Sequence, residues 1–383
     1  MRRHPEPARL SPRHTAALRY VERLAQREEA AARHRVEQIL QRAGIQTAEY
    51  DRARDCIRTH ARIALHFHPD RTGTSGMATV VEGLLADGVY RNQFETGLSS
   101  GSVSAFAGGA RDGWEHALFG GAYHSGDVSA SERPKYGALE LVRYPDGPIP
   151  RFGSCYFVLK PGVCEHASFT FMGSEDPRAA QRIGTIDRMH SVMASLLEEV
   201  EQGGTTTPPW PPFLAPTLGV PDLTVTRLLA LLGELAASRR DPPGGIPGRV
   251  LDTQIEAQVH GPVNLDQDIE WLVADQAFSE TTTGTLLHAL SERYGFPLRW
   301  HHGFRLRASD VPDDFRGPVM PLLARRIGDE NGAVDAAAIG RAQVALRRQP
   351  GEWAAWGDEA EVLQLLKQLW HVLVHYGSPP HTI

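Results

Sequence analysis

Acidic, basic and imidazole side chains crowd the end of one apolar stretch early in the chain. The segment RIALHFHPDR (62–71) alternates apolar and polar residues, which predicts a β-strand. The strand must end at Pro69, because proline has no N–H group to donate to a neighbouring strand. His68 and Arg71 then lie together at a strand end, and an arginine in that position could pair with the diphosphate of a nucleotide.

A second polar cluster follows 25 residues further along the chain. Apolar residues at helical spacing between positions 80 and 85 predict a short helix, which Gly88 ends. Beyond it, Thr96, Ser99 and Ser100 stand beside glycines, and hydroxyl groups next to glycine can approach a nucleotide backbone closely. Two polar clusters at the ends of regular elements indicate a binding site.

A carboxylate and an amide occupy alternate positions of a later apolar stretch. The sequence QIEAQVHG (254–261) predicts a strand. Glu256 and Gln258 point to the same face of that strand, because side chains alternate along it. An exposed strand face would show the same spacing. Together with the two polar clusters, however, a carboxylate that could stabilise a cationic sugar and bind a ribose hydroxyl indicates an enzyme that cleaves the nicotinamide–ribose bond of NAD.

Two histidines on one strand face offer a metal-binding alternative. His66 and His68 could chelate zinc together with Asp70. A further ligand would have to come from a distant pair such as His301 and His302. The sequence contains neither H-E-x-x-H nor C-x-x-C. We therefore predict no metal site, and a histidine-metal hydrolase stays an alternative.

The tripeptide His68-Pro69-Asp70 follows a basic, helix-compatible run and resembles the His-Pro-Asp loop of J-domain co-chaperones. A J-domain needs a following helix that packs back antiparallel on the preceding one. Here the following segment is short and runs into Gly88 and the hydroxyl cluster. A non-catalytic interaction module that uses this loop is the alternative from a different class of protein.

The overall composition excludes several classes of protein. The 383 residues carry a net charge of −6, with 41% hydrophobic and 22% charged residues. With an isoelectric point near 6.3, binding of nucleic acid through bulk charge is not expected. Three cysteines without a C-x-x-C pair favour a reduced, cytoplasmic setting. The first residues lack the apolar run of a cleavable signal peptide, and no 18-residue apolar stretch predicts a membrane span.

Helical segments are expected on both sides of a mixed core. Residues 1–50 are rich in alanine, arginine and glutamate and predict an N-terminal helical segment. Residues 51–308 form the predicted α+β catalytic-like domain, in which a proline-rich insert at 203–217 is expected to be an extended surface connection. Residues 309–383 predict a C-terminal helical segment. Helices around a middle of short strands indicate an α+β fold.

Several stretches inside this domain predict particular elements. Residues 152–160 and 166–173 alternate apolar and polar residues and are expected to be neighbouring strands. Residues 176–202 predict one helix with an aspartate cap. Residues 266–275 predict an acidic helical turn, and residues 293–306 predict a strand.

Several separated motifs resemble an uncharacterised bacterial family of unknown function that carries an HFHPDR signature. The resemblance covers residues 50–310 and is carried by LHFHPDR, LLADGVYRNQFETGLSSG, RPKYGALEL, FGSCYFVL, FTFMGS and IEAQVHG. That family in turn is similar to the ADP-ribosyltransferase superfamily. The superfamily has three motifs: an Arg or His that ends the first strand, a second strand with Ser or Tyr, and a Glu on a later strand.

Each motif of the superfamily has a match in this chain. Arg71 or His68 matches the first motif, and residues 96–100, with Thr96, Ser99 and Ser100, match the second. These residues would bind NAD. The third motif is matched by the Glu256 and Gln258 pair, which would be catalytic.

The superfamily resemblance implies a fold and a chemistry. The fold is a split, mixed or antiparallel β core flanked by N- and C-terminal helices. NAD is the implied substrate, with its diphosphate near Arg71 and its nicotinamide against Tyr90 or Tyr136. Glu256 would accept a hydrogen bond from a ribose hydroxyl, and Gln258 would position the nucleophile. The acceptor is a macromolecule, with a protein favoured, and the enzyme acts in the cytoplasm or is delivered from a bacterial cytoplasm as an effector.

Overall fold

The strand predicted before Pro69 lies in the middle of the sheet around which the chain folds. A computed structural model describes residues 10–72, 78–98, 104–124, 126–203, 217–220, 222–236 and 255–379. The strand is Arg62–Phe67, here called β1. Ile63, Ala64 and Leu65 are inaccessible to solvent, because strands flank β1 on both sides and other side chains cover both of its faces.

The remaining elements alternate between short strands and helices. The other strands are β2 (Lys135–Glu140), β3 (Cys155–Leu159), β4 (Ala167–Phe171), β5 (Ile183–Thr185), β6 (Ile255–Val259), β7 (Ile269–Asp275), β8 (Leu298–His301), β9 (Leu306–Arg307) and β10 (Ala333–Val334). The helices are α1 (Pro12–Ala43), α2 (Thr47–His60), α3 (Val80–Asp87), α4 (Gln93–Thr96), α5 (Ala110–Phe119), α6 (His190–Glu201), α7 (Val225–Gly233), α8 (Leu265–Asp268), α9 (Thr282–Tyr294), α10 (Met320–Ile327), α11 (Ala336–Arg348) and α12 (Glu359–Tyr376).

Eight strands form one mixed sheet in the order β5-β4-β6-β2-β1-β3-β7-β8. Neighbouring strands are antiparallel except for β7 and β8, which are parallel. The short strands β9 and β10 pair separately. Because helices surround this mixed sheet, the predicted α+β fold is confirmed.

The pairing between β1 and β2 stops halfway along both strands. β1 pairs with β2 from Arg62 to Ala64 and with β3 from Ala64 to Phe67. The first half of β2 pairs on its other side with β6. At Gly137 in β2, a side chain would meet the carbonyl oxygen of Ala64, so only glycine fits where the two strands cease to pair. The sheet is therefore interrupted beside the end of β1.

The helices pack on one another as well as on the sheet. α1 contacts α6, α2 contacts α7, α3 contacts α9, and α12 contacts both α10 and α11. Buried side chains of α1–α3 and α6–α12 share one hydrophobic core with the sheet, whereas those of α5 pack with the start of α1 in a second, smaller cluster. At its C-terminal end, α12 is fixed by Trp370, whose indole N–H donates to the carbonyl of Pro150 at 3.0 Å. None of the described helices is both long and apolar enough to cross a membrane.

The expectation that 152–160 and 166–173 form neighbouring strands is wrong. β3 pairs with β1 and β7, whereas β4 lies on the other side of β1 and pairs with β5 and β6. A turn of 3₁₀ helix, Pro161–His166, connects them. Alternation of apolar and polar residues predicts a strand but carries no information about its partner, and this connection is not a tight hairpin.

Three further predictions are corrected by the structure. In the stretch 176–202 only α6 is α-helical, because Asp176 closes a local turn by accepting the Arg178 N–H at 2.7 Å. Residues 266–275 are mainly β7, whose apolar run is buried between β3 and β8. Within 293–306 the helix α9 continues to its left-handed end at Gly295, which leaves only the four residues of β8 in a strand in the main sheet.

Candidate functional site

A cavity of about 580 Å³ lies where β1 and β2 cease to pair. The end of β1 and the start of β2 line it, together with α3, α4 and part of α5. Gly137 and Ala138 of β2 also border the space, and their small side chains leave room for a ligand. The volume suits a small molecule or a nucleotide cofactor.

The strand register brings residues from distant parts of the chain to one face of the sheet. Ala138 is paired with Glu256, and Tyr136 is paired with Gln258. Directly paired residues project to the same face, so the two predicted catalytic side chains and Tyr136 share the face that bears the cavity. Glu256 and Tyr136 line the cavity, but Gln258 does not.

Glu256 is held by hydrogen bonds at one end of the cavity. Its side chain is 8% exposed, and its Oε1 atom accepts from the backbone N–H of Ser174 at 3.1 Å and from Nε2 of Gln258 at 3.0 Å. Burial raises the pKa of Glu256, the Arg111 guanidinium opposes that rise, and the charge of Glu175 adds to it. Glu175 and Arg111 also line the cavity. We call these residues, with Tyr136, the carboxylate end.

Arg111 is a site residue that the sequence did not reveal. It lies on α5, inside a stretch whose glycines and serines indicate loops, and its guanidinium stacks 4.2 Å from the centre of the Tyr136 ring. The ring of Trp114 lies 5.5 Å from the same guanidinium. Among the described residues, neither Nε nor Nη1 of Arg111 has a hydrogen-bond partner, although both atoms are buried. A ligand in the cavity would therefore find donors already oriented by two aromatic rings.

Tyr136 is fixed by an ion-pair network behind it. Its hydroxyl donates to Oε1 of Glu115 at 2.8 Å, and Oε2 of Glu115 accepts from Arg133 at 2.8 Å. Arg133 also pairs with Asp112 at 2.6 Å. Burial holds the pKa of Tyr136 well above its usual value, so the hydroxyl stays protonated and the ring remains a rigid wall of the cavity.

A second group of residues in the cavity lining carries cationic and imidazole side chains. We call His68, Arg71 and Arg151, which all line the cavity, the cationic end. His68 is 7% exposed, and its Nδ1 lies 3.4 Å from the Ser154 hydroxyl. Its Nε2 atom is buried and has no hydrogen-bond partner among the described residues. Burial, followed by the charge of Arg71, holds the pKa of His68 well below its usual value, so the ring is neutral.

The two arginines of the cationic end have different local settings. Burial lowers the pKa of Arg71 to about 10, although the neighbouring Asp70 opposes that change. The Arg151 guanidinium lies 4.6 Å from the centre of the Phe152 ring. An arginine at pKa 10 is still charged at neutral pH, so both side chains supply positive charge to the cavity.

The cavity gathers most, but not all, of the residues predicted from sequence. His68, Arg71, Thr96, Tyr136 and Glu256 all line it. Ser99 and Ser100 lie outside the described residues. Gln258 is fully buried behind the carboxylate end and bonds to Ser168 and Thr170 of β4, so it cannot position a nucleophile by contact.

Thr96, the first residue assigned to the second motif, does not lie on a strand. Thr96 is the last residue of the one-turn helix α4, and its hydroxyl donates to the Asn92 carbonyl at 3.0 Å. The second strand of the sheet is β2, and it carries Tyr136. Asn92 caps this helical turn, so Thr96 lies at a helix end, whereas Ser99 and Ser100 of the same motif lie outside the described residues.

The geometry of the described residues matches neither a J-domain loop nor a histidine metal site. His68 and Asp70 are buried after a strand, not in a loop between antiparallel helices. His66 stacks on Tyr156 at 4.8 Å, and its Nδ1 lies 3.2 Å from the Gly153 carbonyl oxygen. No group of three His, Cys, Asp or Glu side chains in the described ranges is arranged to hold a metal ion.

The fold and the site together define an α+β protein with a charged, nucleotide-sized cavity at an interruption of its central sheet. The family model described as "Protein of unknown function (DUF3626)" matches residues 62–376. The chain therefore belongs to this family, and the match includes both ends of the cavity. No curated protein matches the sequence.

Proposed function

We propose that the protein is an ADP-ribosyltransferase that cleaves NAD and transfers ADP-ribose to a macromolecular acceptor, with a protein favoured. The observation that carries the proposal is the meeting of three separate strands at one cavity. β1 contributes His68 and Arg71 at its end, β2 contributes Tyr136, and β6 contributes Glu256. With Tyr136 as the second motif, these residues follow the order that the superfamily resemblance requires.

Glu256 is the residue best placed to act on the reacting bond. In the proposed reaction the bond between the nicotinamide nitrogen and the ribose carbon breaks, and its electron pair leaves with nicotinamide. The ribose becomes cationic, and the acceptor nucleophile forms the new bond and loses a proton. A carboxylate beside the ribose stabilises that cation and accepts a hydrogen bond from a ribose hydroxyl. The charge of Arg111 opposes the rise that burial gives to the pKa of Glu256 and so favours its carboxylate form.

The remaining lining residues would bind and orient the substrate. Arg71 and Arg151 supply the positive charge that a diphosphate requires. Tyr136 and Tyr90 both line the cavity, and either ring could stack on nicotinamide. Gln258 has a different role from the one predicted from sequence: it holds Glu256 from behind.

Glu256→Gln tests the proposal, because it keeps the size of the side chain and removes its charge. We expect nicotinamide release from NAD, measured with a protein lysate as the source of acceptors, to fall about a hundredfold to a thousandfold. The NAD-induced rise in the thermal midpoint should remain, since the cationic end is unchanged. Glu270→Gln is the matched control, because Glu270 pairs with Arg62 at 2.6 Å and does not line the cavity.

Two outcomes would count against the enzyme. In the first, the wild-type protein releases no nicotinamide and its thermal midpoint does not rise with NAD. In the second, the Glu256→Gln variant cleaves NAD as fast as the Glu270→Gln control. Either result removes Glu256 from a catalytic role.

A further inference from the structure

The C-terminal helix α12 brings additional positive charge to the cationic end of the cavity. Its Trp370 anchors the helix there, since the indole N–H donates to the Pro150 carbonyl and the ring contacts that of His68 at 5.1 Å between centres. Lys367 and His371 are four residues apart on α12, so they share one face of the helix. Both are only 8% exposed. They lie beside Arg71 and Arg151, whose charges act on each of them.

These groups form what we call the cationic cluster. Its members are Arg71, Arg151, Arg316, Lys367 and His371. Burial and the charges of the three arginines lower the pKa of Lys367 to about 8. Burial and the same set of cations hold the pKa of His371 well below its usual value. Gathering like charges in a buried place costs folding free energy, and the charge of Asp70 beside Arg71 offsets part of that cost.

Two buried imidazoles at this place have unused hydrogen-bonding atoms. Nε2 of His68 and both ring nitrogens of His371 have no partner among the described residues. A buried polar atom without a partner is costly in a folded protein. Positive charge and unpaired ring nitrogens beside one end of a cavity are the features expected of a site that an anion completes.

We propose that the cationic end is a phosphate-binding site, and that Lys367 and His371 of α12 supply part of its affinity. Arg71 and Arg151 contact the phosphate group from the cavity wall, Lys367 supplies positive charge behind them, and the neutral ring of His371 supplies hydrogen-bonding nitrogens that have no partner among the described residues. The phosphate group belongs either to the diphosphate of the dinucleotide or to free phosphate in solution. This inference shares the cavity of the proposed function but does not depend on cleavage of NAD.

Thermal unfolding of the full chain measures this binding directly. Inorganic phosphate, pyrophosphate and NAD are titrated against sodium chloride at matched ionic strength. We expect phosphate or pyrophosphate to raise the unfolding midpoint in a saturable way, by about 3–5 °C at concentrations far above Kd. If pyrophosphate and NAD compete for the site and free phosphate raises the midpoint only weakly, the bound phosphate group is the diphosphate of the dinucleotide. If free phosphate alone saturates the effect, the source is phosphate in solution.

Lys367→Met separates a binding role from a structural one. The variant keeps the length of the side chain and removes its positive charge, and the midpoint without ligand is measured as its own reference. The phosphate concentration for half of the shift should increase about tenfold, because one positive charge behind the contacting arginines is lost. His371→Phe, which keeps a ring of similar shape, should weaken the response in the same direction. Lys160→Met is the control, because Lys160 is exposed and does not line the cavity.

The outcomes distinguish this inference from the proposed function. An unchanged midpoint in phosphate and pyrophosphate, or a response that Lys367→Met and His371→Phe leave intact, overturns the phosphate site. A normal phosphate response in a protein that never releases nicotinamide overturns the proposed function alone.

Discussion

Asp275 is a buried acid whose replacement by asparagine should stabilise the protein at neutral and alkaline pH. It ends β7 and is 1% exposed. Oδ1 accepts the N–H of Ala277 at 2.9 Å, whereas Oδ2 has no hydrogen-bond partner among the described residues. Burial, with the charges of Asp335 and Asp70, raises the pKa of Asp275 to about 7.

The size of the effect follows from that pKa. In the unfolded chain the carboxyl group ionises near 3.8, so between that pH and 7 the folded protein holds a proton that the unfolded chain has released. Stability must therefore fall as the pH rises through this window. Each pH unit costs about 1.4 kcal/mol, which gives a total of about 4 kcal/mol. Roughly 2.5 kcal/mol of this loss falls between pH 5 and pH 8.

The Asp275→Asn variant removes the titrating group and keeps the oxygen that accepts from Ala277. Urea unfolding at pH 5, 6, 7 and 8 should show that the wild-type protein loses roughly 2.5 kcal/mol more than the variant across this range. Asp313→Asn reports the effect of the same change of charge at an exposed position. The reasoning is refuted if the Asp275→Asn curve runs parallel to that of the wild-type protein.

Two further changes test the sheet beside the cavity. Gln258→Leu should lower the free energy of unfolding by about 1–3 kcal/mol, because the buried hydroxyls of Ser168 and Thr170 each lose one of their two hydrogen-bond partners. Urea unfolding beside the exposed control Gln276→Leu measures the difference, and equal stability of the two variants would contradict the network. Gly137→Ala should lower the free energy of unfolding by about 1–3 kcal/mol, since the new methyl group meets the carbonyl oxygen of Ala64 in β1. If NAD binds in the cavity as proposed, the variant should also show a smaller rise in thermal midpoint with NAD. A variant with the stability and the NAD response of the wild-type protein would contradict this.

The end of β1 could be predicted because its signals are local. Alternation up to Phe67 and the proline at position 69 define a strand and its end without reference to any partner. The strand that carries Glu256 is predicted for the same reason. The order of the strands in the sheet could not be predicted, because pairing between β2 and β6 joins residues more than a hundred positions apart.

The site residues that could not be predicted from the sequence are those whose position depends on tertiary packing. Arg111 lies in a helix that the sequence does not predict, because glycines surround it. The place of Arg111 in the site follows from the stacking of its guanidinium on the Tyr136 ring. Lys367 and His371 stand in an ordinary amphipathic helix, and only the contact of Trp370 with Pro150 places them beside the cavity. Acidic residues at both ends of β7 predict a helical turn, but the apolar run between them is buried in the sheet and forms a strand. A residue type shows what a side chain can do, but the packing decides which side chains meet.

The two ends of the cavity differ in charge, and this difference would give a dinucleotide one favoured orientation. The carboxylate end holds Glu256 and Glu175 with one arginine, whereas the cationic end holds Arg71 and Arg151. NAD carries its negative charges on the diphosphate and a positive charge on the nicotinamide ring. The reverse orientation would place the diphosphate against two carboxylates, and like charges at short range in a partly buried site are costly. In the proposed reaction, this difference in charge would favour the orientation that places the nicotinamide–ribose bond beside Glu256.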